Sequence, residues 1–245
     1  MKYIIITLIT LLTSCAVDQK KTIKALYITG GCCHDYKSQQ KIIPQGLAQR
    51  INIETDIIFA IKKEVMKEKL SKIDWAKGYD LVIYNICQSQ ESDSEFIDSI
   101  TKLHHDGLGA IALHCSMHSY HWKIKGEKSW TKFLGVTSPN HGPKSKISVK
   151  PVAEHPIMKG FPKEWITPNG ELYNISAMEK TMTPLAMGTR LEKGDKTPIP
   201  CIWVNQYGKG KVFATTLGHH NETMQSTEYL DMLSNAALWV TGQLD

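Results

Sequence analysis

Three histidines stand directly after apolar segments that have the composition of buried strands. His114 follows the run 109–113, His219 follows the run 212–217, and His34 lies on a glycine-opened loop after the run 24–29. Parallel strands end at one edge of a sheet, and ligands of open α/β sheets bind outside that carboxyl edge. We therefore expect the three imidazoles to face one pocket.

Imidazoles placed in this way support two kinds of chemistry. His34, His114 and His219, together with Glu171, can bind a divalent transition metal, with zinc as the first choice from the ligand types and one coordination position open. The same four catalytic candidates can also work without metal, since the pKa of an unperturbed imidazole is about 6.5 and suits proton transfer near neutral pH. The sequence leaves both alternatives open.

Further polar and aromatic side chains near the predicted strand ends suit a sugar ring, because they combine flat apolar faces with hydrogen-bonding groups. The candidate substrate-binding residues are Tyr36, Asn85, His118, His141, Tyr173 and His220. His104, His105 and His155 are expected instead to make local hydrogen bonds that end a helix or a turn.

Strand and helix patterns alternate along the chain, which is typical of βαβ units and a mainly parallel sheet. Strands are predicted at 23–29, 51–59, 81–85, 109–113, 199–205 and 212–217, and helices within 38–50, where Pro44 is a candidate start, and at 92–105, 130–134 and 227–240. The region 137–194 is predicted to be a lid of irregular and antiparallel structure. The fold class is thus α/β, a flavodoxin-like three-layer sandwich.

The amino terminus has the pattern of a bacterial lipoprotein signal. Lys2 precedes an apolar stretch too short to span a bilayer, and Leu12-Thr13-Ser14-Cys15 resembles a lipobox. We expect a signal peptide at 1–14, lipidation of Cys15, a tether at 15–22 and one domain at 23–245. The protein would then be exported and membrane-anchored, facing the periplasm.

The distribution of charge in the chain argues against one class of partner. The formal net charge of +5 is spread among interleaved acids, so nucleic acid is not an expected partner.

Besides Cys15 the chain has five cysteines, an odd number that leaves at least one unpaired. Adjacent Cys32 and Cys33 are not expected to bond each other, whereas either can pair with Cys87 or Cys115. Free buried thiols are the alternative.

Several short motifs, in order, resemble the trehalose-utilisation (ThuA-like) family. They are the glycine-rich loop with His34, the segment 109–114, Trp130 with Phe133-Leu-Gly135, His141, His155-Pro-Ile-Met-Lys-Gly-Phe-Pro162, Glu171-Leu-Tyr173, Trp203, and the segment 208–213 leading to Leu217-Gly-His219. The resemblance implies a class I glutamine amidotransferase-like fold. It also implies a link to disaccharide use and to 3-keto sugars made by partner oxidoreductases.

Two positions depart from the family pattern. Asn169-Gly170 stand where an acidic residue usually precedes the Glu-x-Tyr element, and Cys115 replaces the usual small residue after His114. In amidotransferase relatives the nucleophilic cysteine lies in a glycine-flanked elbow, which Leu113-His-Cys-Ser-Met117 lacks. Cys115 is therefore the less favoured nucleophile.

Three functional hypotheses follow from these observations. The first is a lipid-anchored enzyme acting on a 3-keto glycoside or disaccharide by hydrolysis, elimination or isomerisation. A missing carboxylate pair argues against ordinary glycoside hydrolysis. The second is a non-catalytic sugar-binding lipoprotein, and the third is a cysteine hydrolase that uses Cys115.

Overall fold

The computed structural model describes residues 21–126 and 128–245. The expected signal peptide, Cys15 and most of the tether lie outside these residues. Within the described residues, no helix is long and apolar enough to cross a bilayer.

The described chain alternates strands with helices, as the sequence pattern predicts. The strands are β1 (Ile23–Gly31), β2 (Ile53–Phe59), β3 (Leu81–Cys87), β4 (Gly109–Leu113), β5 (Val136–Thr137), β6 (Asn140–His141), β7 (Ile147–Pro151), β8 (Trp165–Ile166), β9 (Tyr173–Asn174), β10 (Ala177–Met178), β11 (Met182–Arg190), β12 (Ile199–Tyr207) and β13 (Gly210–Thr215). The α-helices are α1 (Tyr36–Ala48), α2 (Lys63–Leu70), α3 (Ser94–His105), α4 (Ser129–Leu134), α5 (Asn221–Gln225) and α6 (Thr227–Val240). Short 3₁₀ helices span His114–His118 and Pro156–Met158.

In the described part of the chain, nine strands form the central sheet, in the order β2-β1-β3-β4-β13-β12-β11-β7-β8. Neighbours are parallel from β2 to β13 and antiparallel from β13 to β8. The turn between β12 and β13 closes an antiparallel hairpin, which joins the predicted strands 199–205 and 212–217. The longer strands of region 137–194 extend the sheet, while β5 with β10 and β6 with β9 make two small antiparallel sheets.

Helices cover both faces of the sheet and bury its apolar residues, which confirms the predicted three-layer α/β class. On one face, α1 and α6 contribute Ile43, Leu47 and Leu233 to the core. On the other face, α2, α3 and α4 contribute Met66, Ile100 and other apolar side chains. The two cores hold the sheet rigid, so its carboxyl edge is a fixed platform for side chains.

Helix α1 begins eight residues before Pro44, the start that the sequence suggests. The side chain of Asp35 accepts a hydrogen bond from the backbone N–H of Ser38 at 3.2 Å and so caps the first turn. Pro44 lies inside the helix and removes one backbone donor. The Asp-x-x-Ser cap therefore outweighs the proline, and it brings Tyr36 close to the end of β1.

The loop after β1 depends on Gly31. This residue has a φ of +106°, and a side chain there would collide with the backbone carbonyl of Cys87 at the end of β3. Only glycine lets the loop approach β3 so closely. The close approach sets the path of the next three residues and thus the position of His34.

Candidate functional site

The rings of His34, His114 and His219 meet at the carboxyl edge of the parallel strands. Their centroids are 4.7 to 5.2 Å apart. One side-chain nitrogen from each lies within 4.8 Å of those of the other two. His34 follows β1, and the chain order of the sheet reverses between β1 and β3. This is the switch point at which open α/β sheets bind their ligands.

His114 is held by its backbone and by one strong hydrogen bond. It has a φ of +43°, a left-handed conformation that is uncommon for a residue with a side chain, and it directly follows β4. Its Nδ1 lies 2.6 Å from the carbonyl oxygen of Thr216, which can only accept, so Nδ1 carries the proton. Nε2 then faces the pocket, with the Tyr173 hydroxyl 3.2 Å away.

Glu171 reaches the same site from the antiparallel half of the molecule. Its side chain is 6% exposed, and its carboxylate oxygens lie 3.6 Å from His114 Nε2, 3.6 Å from His219 Nε2 and 3.3 Å from His141 Nδ1. The backbone beside it is fixed by the buried Arg190, which donates to the carbonyl of Leu172 at 2.7 Å. The carboxylate is therefore presented to three imidazoles.

Burial and mutual repulsion lower the pKa values of two of the clustered imidazoles, His34 and His219. Burial, with the neighbouring His114 and His219, lowers the pKa of His34 to about 2. Burial and His114 lower the pKa of His219 to about 4, although Glu171 opposes the shift. Burial tends to raise the pKa of Glu171, but the adjacent imidazoles, His114 first, outweigh it and hold that pKa below its usual value. Near pH 7, His34 and His219 thus offer nitrogen lone pairs beside an ionised carboxylate.

A cavity of about 310 Å³ opens onto the cluster. His118 lines it and stacks on Tyr173 with the ring centroids 3.9 Å apart, while its Nε2 lies 2.8 Å from the Ser138 hydroxyl. His141 and Trp122 line the outer part, and Trp122 is 45% exposed. The volume lies at the small end of the range for ligand pockets and suits one or two sugar rings.

The other candidate contacts lie farther from the cavity. Asn85 is buried, and its amide nitrogen donates to the Tyr27 hydroxyl at 2.8 Å and to Gln39 Oε1 at 2.9 Å, so it holds α1 on the sheet. Tyr36 lies behind His34, with its ring centroid 5.6 Å away. His220 borders an adjoining, more open concavity that His34 and His219 also line.

Two histidines set aside as structural make local bonds. His155 Nδ1 accepts from the backbone N–H of Ile157 at 3.2 Å, and His104 Nδ1 lies 2.9 Å from the carbonyl oxygen of Leu108. Sequence reasoning missed Lys144, which lines the cavity and lowers the pKa of His34. It follows Gly142-Pro143 in a loop, and nothing in its spacing in the sequence marks it as a site residue.

The cysteines pair differently from the expectation. Cys32 is bonded to its neighbour Cys33, and Cys87 is bonded to Cys115, while Cys201 is free and buried. The expectation that Cys32 and Cys33 would not bond each other is wrong. Cys33 has a φ of +81°, and this left-handed backbone accompanies the bond between adjacent residues. The sulfur of Cys115 is bonded to Cys87, and the residue with a left-handed backbone directly after β4 is His114 and not Cys115.

Sequence comparison agrees with this architecture. The ThuA family, described as "Trehalose utilisation", matches residues 24–240. The chain belongs to the ThuA family. The match covers β1 to α6 and therefore includes all three clustered histidines and Glu171. No curated protein matches the chain.

Solved structures share the ThuA fold at low sequence identity. A ThuA-like protein from Parabacteroides merdae is 19% identical, with a TM-score of 0.74 over 91% of this chain and 92% of that one. One from Bacteroides uniformis is 18% identical, with a TM-score of 0.65 over 89% and 91%. A GMP synthase protein from Thermoplasma acidophilum is 12% identical, with a TM-score of 0.52 over 89% and 94%. These likenesses confirm the glutamine amidotransferase-like fold.

Proposed function

We propose that this ThuA-family protein is an exported, lipid-anchored enzyme that acts on a small carbohydrate, a 3-keto glycoside or disaccharide. The observation that carries the proposal is the convergence of His34, His114 and His219 on Glu171 at the carboxyl edge of the sheet. The amino-terminal lipobox-like pattern supports export. The trehalose-utilisation description of the family supports a disaccharide substrate.

The three histidines fit a divalent transition metal, zinc first. Each offers a ring nitrogen to the same point, and the bond from His114 Nδ1 to Thr216 orients that ring as a ligand, since metal-bound imidazoles usually donate their other N–H to an acceptor. His34 Nδ1 and His219 Nδ1 are buried with no hydrogen-bond partner among the described residues. A bound metal would stabilise negative charge on a substrate oxygen.

Glu171 suits the role of the base. In a 3-keto glycoside the hydrogen on C2 is acidic because it is next to the ketone, and a buried, ionised carboxylate can remove it. The electron pair moves onto the ketone oxygen as an enolate. When it returns, the bond from C1 to the aglycone oxygen breaks and a C1–C2 double bond forms.

The expelled aglycone oxygen needs a proton. Tyr173 provides a hydroxyl 3.2 Å from His114 Nε2, within reach of the same pocket. Burial and the charge of Glu171 raise the pKa of Tyr173 well above its ordinary value, so the hydroxyl stays protonated until it is used. Such an elimination does not need two opposed carboxylates, in keeping with the single acid that the described residues bring to this cavity.

The test compares native and 3-keto disaccharides as substrates and measures bound metal. We expect turnover of a 3-keto disaccharide only, and loss of at least a hundredfold in kcat with His114→Ala, His219→Ala and Glu171→Gln. His105→Ala, an exposed histidine outside the site, is the matched control and should retain activity. Binding of the sugar without any chemical change in it would instead support the sugar-binding lipoprotein, and unchanged turnover in His114→Ala would refute the proposal.

Metal content is measured by elemental analysis of the same proteins. The wild-type protein and His105→Ala should contain about one zinc-group ion per chain, whereas His114→Ala and His219→Ala should lose it. Full activity after chelation and dialysis would refute the metal-binding role of the histidines. The acid–base role of Glu171 is tested separately, by Glu171→Gln.

A further inference from the structure

Four sulfur atoms lie together on one side of the histidine cluster. Cys32 and Cys33 follow β1, Cys87 ends β3, and Cys115 follows β4 by one residue. Because β1, β3 and β4 are neighbours in the sheet, their carboxyl ends place the disulfide Cys32–Cys33 beside the disulfide Cys87–Cys115. The proposed function uses none of them.

The distance between the two disulfides is short. Cys32 Sγ lies 3.7 Å from Cys87 Sγ, and the sulfurs of Cys32, Cys33 and Cys87 all lie within 4.8 Å of one another. In a tetrahedral site with zinc–sulfur bonds of about 2.3 Å, the sulfurs are roughly 3.8 Å apart. The gap between the two disulfides is thus close to the separation that one tetrahedral thiolate site requires.

We propose that Cys32, Cys33, Cys87 and Cys115, once reduced, form a binding site for one thiophilic d¹⁰ cation such as zinc or cadmium. Reduction breaks both sulfur–sulfur bonds and takes four electrons and four protons, which two molecules of an external dithiol supply as each closes to a cyclic disulfide. The four thiols then release their protons to solvent as the sulfurs bind the metal.

The surroundings of the four residues suit a metal site that solvent can reach. Cys87 and Cys115 are 7% and 4% exposed, so they form the floor, whereas Cys32 and Cys33 are exposed and provide the entry. Gly31 holds the loop against the backbone of Cys87, so the loop cysteines stay above the buried ones after the disulfides open.

The sulfur site is chemically distinct from the histidine cluster. It presents soft thiolates, which favour zinc, cadmium and monovalent copper, whereas the imidazoles and Glu171 favour borderline ions. His34 connects the two, since one of its nitrogens lies within 4.8 Å of the sulfurs of Cys87 and Cys115. A metal bound by Cys32 and Cys33 would therefore fix the loop that carries His34.

The test is a cadmium titration of purified protein, followed through the ultraviolet charge-transfer absorption that cadmium–thiolate bonds produce and imidazole ligands do not. After anaerobic reduction and removal of the reductant, the absorption should rise linearly and saturate at one ion per chain. Protein that keeps its disulfides should show no such rise. A reduced protein without a saturable signal would overturn the proposal.

Variants assign the signal to the four residues. Cys87→Ser and the exposed Cys33→Ser should each lower the plateau by about a quarter and weaken cadmium binding at least tenfold. Cys201→Ser, which changes the free buried cysteine, is the matched control and should match the wild type. A double variant, His114→Ala with His219→Ala, should also keep the full signal, because the sulfur site does not include these histidines. The cadmium test is therefore independent of the proposed carbohydrate chemistry, and either proposal can fail without the other. An unchanged plateau in Cys87→Ser would refute the assignment.

Discussion

Because His104 is buried, the free energy of unfolding should decrease in acid, by an amount that follows from the pKa of this side chain. Its side chain is fully buried, and Nδ1 donates to the carbonyl of Leu108 at 2.9 Å while the Tyr84 hydroxyl donates to Nε2 at 2.8 Å. The ring also stacks on Phe133. Every polar atom of the neutral imidazole is satisfied, and burial lowers the pKa of His104 to about 4.

The sign of the effect follows from where protons bind. Between pH 6.5 and pH 4 the unfolded chain protonates this histidine and the folded protein does not, so the free energy of unfolding decreases as the pH falls. With a pKa of about 6.5 in the unfolded chain, His104 alone should cost about 2 kcal/mol of stability between pH 7.5 and pH 5. The loss is nearly absent at pH 7.5, where His104 is neutral in both the folded and the unfolded chain.

Urea unfolding at pH 7.5 and pH 5 measures this directly. For His104→Gln, the difference between the two unfolding free energies should be about 2 kcal/mol smaller than for the wild type. Because only the difference between pH 7.5 and pH 5 is compared, any loss of stability that the substitution causes equally at both pH values cancels. His105→Gln, on the same helix with a side chain 59% exposed, is the matched control and should resemble the wild type. An equal pH dependence in His104→Gln and wild type would refute the reasoning.

Three further outcomes can be measured. Gly31→Ala should lower the unfolding free energy by more than about 2 kcal/mol, since the new methyl collides with backbone, whereas Gly78→Ala, with open space around it, should cost only the backbone strain of about 1 kcal/mol. Asn205→Ala should cost about 3 kcal/mol in urea unfolding, because its amide nitrogen donates to two carbonyls at the end of α4. Trp122→Ala should raise KM for the 3-keto disaccharide about fivefold, a lost aromatic contact of about 1 kcal/mol, with stability unchanged.

The elements with strong periodicity could be predicted from the sequence. Helix α6 has the predicted bounds 227–240, and β4 has the predicted bounds 109–113, because each is a long or wholly apolar segment with clear ends. Helix α1 starts earlier than predicted, because the cap formed by Asp35 decides its first turn and the proline does not. A short local hydrogen bond sets that helix start, and hydrophobic spacing does not record such bonds.

The site was predictable only as far as strand ends could be identified. His34, His114 and His219 each follow a strand, so the parallel topology brings them together without further information. Lys144 and Asn85 are two residues whose roles could not be predicted from strand ends. The direction in which a side chain points, and the contacts that occupy its polar atoms, depend on tertiary packing. The bond between Cys32 and Cys33 likewise depends on the path of a loop that Gly31 controls.

The histidine cluster also has a consequence for how the protein matures. His34 follows β1 and His219 follows β13, at opposite ends of the strand sequence, and β13 must pair with β4 before His219 can reach the others. Such contacts between distant parts of the chain are costly to form and come late in folding. A chain still emerging from synthesis, or one cut before β13, has two of these histidines and no assembled donor set, so the proposed metal could bind only after the sheet is complete.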